Sequence, residues 1–557
     1  MEMPLGLKQL LSYQSAWLRG DILAGLTVAA YLIPQCMAYG ELAGVQPVAG
    51  LWAILPAMVI YTLLGSSPQL SVGPESTTAV MTAVAIAPLA TPGGSDYAIL
   101  AALLALLVGG IYILGYLTRL GFLADLLSKP ILIGYMAGVA VIMMAGQLSK
   151  VSGVPTDADT VLGEIQAFVT HLSQYHGPTL ILSLAVLVFL FVVQARWPNA
   201  PGPLLAVLLA TVAVNVLRLD QLGVAVVGNI PAGLPQLNIP NLSMNEVTPL
   251  MAAAIGIAVV GYSDNVLTAR AFATRNGYKI NANQELLALG AVNIGAGLMQ
   301  GFPISSSGSR TVLGNALGNK TQLFSLVAMV TVVGVLLFMR PVLSLFPQAA
   351  LGALVIYAAT RLIEMSEFVR LLRFRSTEFA LAVITTLGVL ATDLLVGIAI
   401  AISLSVVDLF ARVARPHDAV LGQVLGLAGW HDIDDWDDAT TIPGLVIYRY
   451  DAPICFANVE NFKRRAMAAI EAEQERVEWF VLNTEAIAEI DITAADMLVE
   501  LHQELCNQGI VFALARVKQD LYSQLKRSGL RDLIGNERIY PTLKTAIRGF
   551  EDRYRFK

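Results

Sequence analysis

Two short polar stretches broken by glycine and proline interrupt an otherwise apolar chain: Ser71–Thr78 (SVGPESTT) and Gly301–Arg310 (GFPISSSGSR). Each leads into a short apolar run, Ala79 to Leu89 and Thr311 to Leu317. Each also follows a long apolar segment with its own polar interruption, Pro34-Gln35 in the first half and Ser263-Asp264 in the second. Paired short, interrupted segments at corresponding places in two halves point to a transporter's substrate site. Half-helix tips there would aim unpaired backbone N–H groups, and the positive ends of two dipoles, at one point near the bilayer midplane. The chemistry on offer is the holding of an anion.

The side chains fit that reading. Glu75, Ser76, Thr77 and Thr78 on one tip, and Ser306, Ser307, Gly308 and Ser309 on the other, supply hydroxyls and amides that hold oxyanion oxygens without a formal cation. Arg310 would cost about 2.5–3.5 kcal/mol at bilayer depth unless it faced a polar cavity or a partner, and as a fixed positive charge it is the natural counter-ion. Glu75 is awkward beside an anion and is open to three readings: protonated, paired with Arg310, or turned away. Asp264 is the lone acid in the apolar run Gly256–Leu267. A carboxyl group there readily takes up a proton or binds a cation, which makes it the candidate coupling residue. Thr268 shares its helix face and can add an oxygen. The plainer alternatives are small residues that only pack helices closely, an arginine that snorkels to the interface, and an Asp264 paired with Arg270 or Arg310.

Composition limits the class. The chain has 557 residues, 56% of them hydrophobic and 14% charged, with mean hydropathy +0.66. That is too apolar for an ordinary soluble domain and predicts a polytopic membrane protein. Cys36, Cys455 and Cys506 lie far apart, without spacing for a disulfide framework or a zinc site. The five histidines have no metal-ligand spacing, so no metal site is expected. No basic stripe with interleaved aromatics speaks for nucleic acid, and no GxxxxGK[ST] loop speaks for an ATPase. An enzyme is not expected. Nor is a signal peptide, since no basic-then-apolar stretch with a cleavage site precedes the first span.

Apolar runs fall at 21–39, 50–64, 76–90, 98–117, 130–148, 178–196, 203–219, 248–268, 284–300, 307–317, 322–340, 346–363, 377–391 and 394–412. This predicts about fourteen transmembrane segments between a polar N-terminal segment, 1–20, and a C-terminal region starting at 416. Arg119, Lys129, Arg196, Arg270, Arg275, Lys279, Lys320, Arg361, Arg370, Arg373, Arg375, Arg412 and Arg415 all fall in alternate loops or helix ends. Arg340 is the main exception. The segments around Asp157 to Glu164 and Asp220 to Glu246, in opposite loops, carry excess acid. The positive-inside rule then places both termini in the cytoplasm.

After Pro416 the pattern changes. Strands at Leu445–Tyr450, Trp479–Asn483 and Ile510–Ala515 alternate with helices at Asn458–Ala472 and Thr493–Gln508, which predicts a small α/β domain with a partly parallel sheet over 416–557. The acidic net charge of −6 concentrates here, in the run His431–Asp438 (HDIDDWDD).

Together these residues resemble the SulP family of sulfate-permease-type anion transporters that end in a STAS domain. The likeness runs from DILAGLTV (Asp21–Val28) and IPQCMAY (Ile33–Tyr39), through GPES (Gly73–Ser76) and NQEL (Asn283–Leu286), to FPIS (Phe302–Ser305) and SRT (Ser309–Thr311). The resemblance implies fourteen segments in two intertwined inverted repeats, a core domain moving against a gate domain across residues 21–415, and a homodimer. It places Gln35 and Tyr39, which share a helix face, at the substrate pocket, and it gives a carboxylate at Asp264 the task of coupling to H⁺ or Na⁺. Glu285, in NQEL, reads as tying down a helix end. The uracil-permease type shares the architecture but lacks a STAS domain. In the STAS part, Asp491 and Thr493 lie in the loop where anti-anti-sigma relatives carry a phosphorylatable serine directly after an aspartate. Here that position is Ile492, which leaves Thr493 a displaced candidate.

The function expected is secondary active uptake of sulfate or a related oxyanion by H⁺ or Na⁺ symport across a bacterial inner membrane. Na⁺-coupled bicarbonate and H⁺-coupled C4-dicarboxylate transport are the alternatives. A membrane-anchored scaffold whose STAS domain binds a soluble partner is the reading from another class, and a channel is a third.

Overall fold

The structure is a computed structural model that describes residues 7–8, 11–121, 128–156, 161–198, 200–231, 233–238, 244–392 and 394–555. Parts of the N-terminal segment 1–20 and of the acidic loops expected at 157–164 and 220–246 lie outside the described residues. The chain divides into two compact units, Met1–Ser405 and Val406–Lys557.

A helix occupies each of the fourteen apolar windows. They are α1 (Leu18–Leu42), α2 (Pro47–Leu64), α3 (Ser76–Ile86), α4 (Ser95–Leu117), α5 (Lys129–Ala145), α6 (Gly177–Arg196) and α7 (Gly202–Leu217), then α8 (Met244–Asn276), α9 (Ala282–Leu298), α10 (Gly308–Ala316), α11 (Leu323–Phe338), α12 (Gln348–Thr360), α13 (Ser376–Ala391) and α14 (Leu394–Ala414). Among the described residues six helices are long and apolar enough to cross a membrane by length and composition. With 11 and 9 residues, α3 and α10 would reach only about halfway through a hydrocarbon core of ~30 Å.

Both short helices start where the sequence breaks. A two-residue strand precedes each, β1 (Val72–Gly73) and β2 (Ser305–Ser306), and the two pair antiparallel with Val72 opposite Ser306 and Gly73 opposite Ser305. Extended backbone inside a membrane needs its polar groups paired. Here the ladder does so, extended by Ser307 N–H donating to Ser71 O at 2.8 Å and Ser71 N–H donating to Thr311 Oγ1 at 3.0 Å. The same pairing ties the start of α3 to the start of α10.

The interrupted long segments stay helical. Pro34 sits inside α1, and α8 runs 33 residues through Ser263 and Asp264. Close crossings depend on glycine: a Cβ on Gly50 of α2 would lie 1.9 Å from Cys36 O of α1, and one on Gly134 of α5 would lie 2.1 Å from Ala382 O of α13. Small residues permit such approaches where no aqueous hydrophobic force drives helices together.

Polar ties fix the helix ends. The fully buried Glu285, at the start of α9, accepts from Tyr61 OH of α2, from the Ser66 N–H and hydroxyl, and at 2.8 Å from Asn265 Nδ2 of α8. Asp21, equally buried near the start of α1, accepts from Lys320 N–H at 2.7 Å and Thr321 Oγ1 at 2.7 Å, just before α11.

The second unit carries a six-stranded sheet of β3 (Asp418–Gly422), β4 (His431–Asp432), β5 (Leu445–Tyr450), β6 (Trp479–Asn483), β7 (Val511–Ala515) and β8 (Ile539–Tyr540). The order is β4-β3-β5-β6-β7-β8, parallel from β5 to β8 and antiparallel at β3 and β4. Alternate residues feed opposite faces. Val446, Tyr448, Phe480 and Phe512 pack with the helices α15 (Val459–Glu471) and α16 (Ile492–Asn507), whereas Ile447, Val481 and Ala513 pack with Leu543, Ile547 and Phe550 of the C-terminal helix. The acidic run is only partly a solvated surface. Asp432 lies in β4, 5% exposed, and its carboxylate accepts the Asp434 N–H at 3.0 Å.

Candidate functional site

Neither short helix has a side-chain cap, whether from Glu75 at the head of α3 or from Ser307 at the head of α10. The first intrahelical bonds are Ala79 N–H to Glu75 O and Thr311 N–H to Ser307 O. The amide of Ser76 lies against the Glu75 carboxylate, whereas those of Thr77 and Thr78, and of Gly308, Ser309 and Arg310, find no acceptor among the described residues. Two uncapped N-termini held together by the β1–β2 pair make a ready site for negative charge.

These tips border a cavity of about 440 Å³ within the first unit. Gln35 and Tyr39 of α1, Glu75, Ser76 and Thr77, Asp264 and Thr268 of α8, and Gly308 and Ser309 form one wall. The opposite wall comes from Met136 of α5, Gln194 of α6, and Tyr357, Arg361 and Glu364 at the end of α12. The volume is in the range of small-ligand sites.

Three residues expected at the cargo stand behind this wall. Ser306 and Ser307 are 0% and 1% exposed in the β2 turn, and Arg310 is 0% exposed. Its Nη1 donates to Pro74 O at 2.9 Å and to Gln35 Oε1 at 3.2 Å, and its Nε donates to Ser71 Oγ at 3.3 Å. The guanidinium thus braces α1, the Ser71–Pro74 turn and α10 from one point. Gln35, held by Arg310 through its oxygen, donates from Nε2 to Tyr39 OH at 2.9 Å. This orients the Gln35–Tyr39 face toward the cavity. Arg310 forms no ion pair with Glu75 among the described residues. Glu75 borders the cavity and accepts from Ser76 Oγ at 3.1 Å through one oxygen, while the other is buried with no partner. Of the three readings of Glu75, pairing with Arg310 and turning away are both absent from this conformation.

Asp264 and Thr268 face the cavity together, one turn apart on α8. Asn265, on another face of the helix, is occupied with Glu285. Sequence reading missed the second wall. Arg361 served only as a topology mark, yet it stands at the rim with its Nη1 3.5 Å from Tyr357 OH, which donates to Gln194 Oε1 at 3.1 Å. A cation at a helix end carries no mark that separates a binding role from a topological one, and Gln194 and Tyr357 sit in unbroken apolar helices.

The STAS-part residues take structural positions. Asp491 caps α16 by accepting the Ala494 N–H at 2.8 Å and also accepts the Phe456 N–H at 2.7 Å, while Thr493 is exposed in the first turn.

Residues 18–385 match the sulfate permease family and 438–546 match the STAS domain. The chain belongs to the sulfate permease family. It is a multi-pass membrane protein with a C-terminal STAS domain. A Mycobacterium tuberculosis protein named "Probable sulfate transporter Rv1739c" is 53% identical over 98% of both chains. An Arabidopsis thaliana protein named "Probable sulfate transporter 4.2" is 31% identical over 95% of this chain and 80% of its own length. In fold, the chain is similar to the murine Solute Carrier 26 family member A9 anion transporter, with TM-score 0.91, 22% identity, and coverage of 99% of this chain and 94% of that one. The transmembrane domain of the cyanobacterial bicarbonate transporter BicA aligns with TM-score 0.63 and 22% identity over 69% of this chain and 98% of its own.

Proposed function

We propose that this sulfate permease family member is a secondary active transporter that takes up sulfate, or a closely related oxyanion, in symport with H⁺ or Na⁺. The observation that carries the reading is the cavity where two uncapped helix tips, fastened by β1 and β2, face an acid on α8. The anion sits at the amides and hydroxyls of Ser76, Thr77, Gly308 and Ser309, with Gln35 and Tyr39 as a side wall. The coupling cation or proton sits at Asp264 with Thr268. Occupying Asp264 offsets part of the cargo's charge, so each ion favours the other's binding. The names of the mycobacterial and plant relatives favour sulfate over bicarbonate or a dicarboxylate. A bacterial inner-membrane location, cytoplasmic termini, a homodimer and a soluble partner for the STAS domain belong to the same proposal.

The site reading is tested at Gly308. A Cβ there meets no atom within 4 Å, so valine fits the fold but projects into open space at the helix tip. Gly308→Val is expected to weaken sulfate binding at least tenfold, measured by titration of the purified protein, with an unchanged melting profile. Undiminished affinity would place the anion elsewhere.

Alternating access requires the wall of α5–α7 and α12–α14 to move against α1–α4 and α8–α11. An ion pair bridges the two sets: Lys150 Nζ lies 3.0 Å from Glu41 Oε1 at the end of α1. Lys150 belongs to the short helix Leu148–Ser152, which abuts α12 at Gly352. This pair holds the outer side shut. Lys150→Met should increase labelling of Ser309→Cys by an external, impermeant thiol reagent several-fold. The exchange Glu41→Lys with Lys150→Glu should restore the low value; equal labelling in all three proteins would rule out the latch.

A further inference from the structure

Between α12 and α13 lies a ten-residue helix, Met365–Phe374, that takes no part in the cavity's chemistry. Arg375 ends it in an extended conformation, φ −156° and ψ 123°, so it is a separate segment and not a continuation of α13. One side packs on protein: Leu371, 6% exposed, and Phe368 join Ile133 of α5 with Phe379 and Ala382 of α13. Glu367 pins it further, with Lys129 Nζ at 2.7 Å.

The rest of the circumference is what asks for a partner. At about 100° per residue, Met365, Val369 and Leu372 form an apolar stripe beside the packed side, and Arg373 and Arg370 follow it directly around the helix. Met365, Leu372 and the terminal Phe374 are 65%, 53% and 75% exposed. Ser366, Val369, Arg370, Arg373 and Phe374 line a shallow, open depression of about 370 Å³. Arg370 shares Glu367 at 3.3 Å, while Arg373 has no acidic partner among the described residues. An apolar stripe bordered by arginines, on a helix otherwise fastened to a membrane-spanning unit, matches a surface lying in the headgroup layer. Water alone would leave the apolar stripe uncovered, and a soluble anion would not use it.

We infer that the helix Met365–Phe374 is a binding site for an anionic phospholipid: Arg370 and Arg373 hold the headgroup phosphate while Met365, Val369 and Leu372 lie against its acyl chains. On the transport reading above, α5 and α13 fasten this lipid to the wall that moves in the cycle, and arginines near such a surface add electrostatic attraction to anionic headgroups.

The test reads lipid contact and not transport. The full chain, with Cys36, Cys455 and Cys506 replaced and Val369→Cys carrying a fluorophore, is reconstituted in mixed phosphatidylglycerol and phosphatidylcholine. Only one of the two lipids carries brominated acyl chains in each sample. Brominated phosphatidylglycerol is expected to quench several-fold more efficiently than brominated phosphatidylcholine at equal mole fraction, and the pair Arg370→Gln and Arg373→Gln should erase the difference. Equal quenching by the two lipids would overturn the site, as would a preference that survives both substitutions. Absence of quenching by either lipid would show instead that protein, such as a second copy of the chain, or water covers this face.

Discussion

Asp264→Asn is expected to abolish concentrative anion uptake, by at least an order of magnitude, while leaving anion exchange across the membrane measurable. Asp264 faces the cavity with Thr268, whereas the helix tips proposed to hold the cargo need neither residue for their own geometry. Asparagine preserves size and hydrogen bonding but neither gains a proton nor supplies the charge a cation needs. Counterflow of labelled against unlabelled sulfate separates the two effects. A variant that still accumulates sulfate against its gradient would remove Asp264 from coupling. One that loses exchange as well would show that the carboxylate shapes the anion site itself.

The second large effect is expected at Arg310. Replacing it with methionine strips Pro74 O, Gln35 Oε1 and Ser71 Oγ of their shared donor and leaves the junction of α1, α3 and α10 without its brace. Buried hydrogen bonds to a charged group contribute about 1.5–3 kcal/mol each. Even about 3 kcal/mol lost from the bound geometry is roughly a hundredfold in affinity. Lysine should rescue poorly, because an ammonium does not reproduce the planar fork that reaches these separated acceptors. The readout that distinguishes bracing from direct charge pairing is selectivity. If Arg310 acts from behind the wall, KM rises alike for monovalent and divalent anions; if it touched the cargo, sulfate would suffer far more than a monoanion.

The positions of the helix tips were legible in the sequence because breaks are local. Gly73-Pro74 and Gly301-Phe302-Pro303 cannot sit inside a helix cheaply, and the serines and threonines after them start a new one. Asp264 was legible because an acid stands out in an apolar run. What the sequence withheld depends on packing. Whether a serine in a two-residue strand faces the cavity or the protein follows from the β1–β2 register, and no periodicity exists over two residues. Arg310 was recognised as a costly charge, but its acceptors are a proline carbonyl, an amide and a hydroxyl from distant segments, so its bracing role emerges only when the halves meet. The wall of Gln194, Tyr357 and Arg361 lay hidden for the same reason, since each is ordinary in its own helix and they gather only at the cavity.

The most direct measurement is uptake of labelled sulfate, bicarbonate and fumarate into proteoliposomes of the full chain under imposed pH or Na⁺ gradients. Sulfate should accumulate only when one of the two gradients points inward, and collapse of that gradient should release it. Movement of no anion, or sulfate equilibration indifferent to both gradients, would contradict a symporter built on the paired helix tips and Asp264.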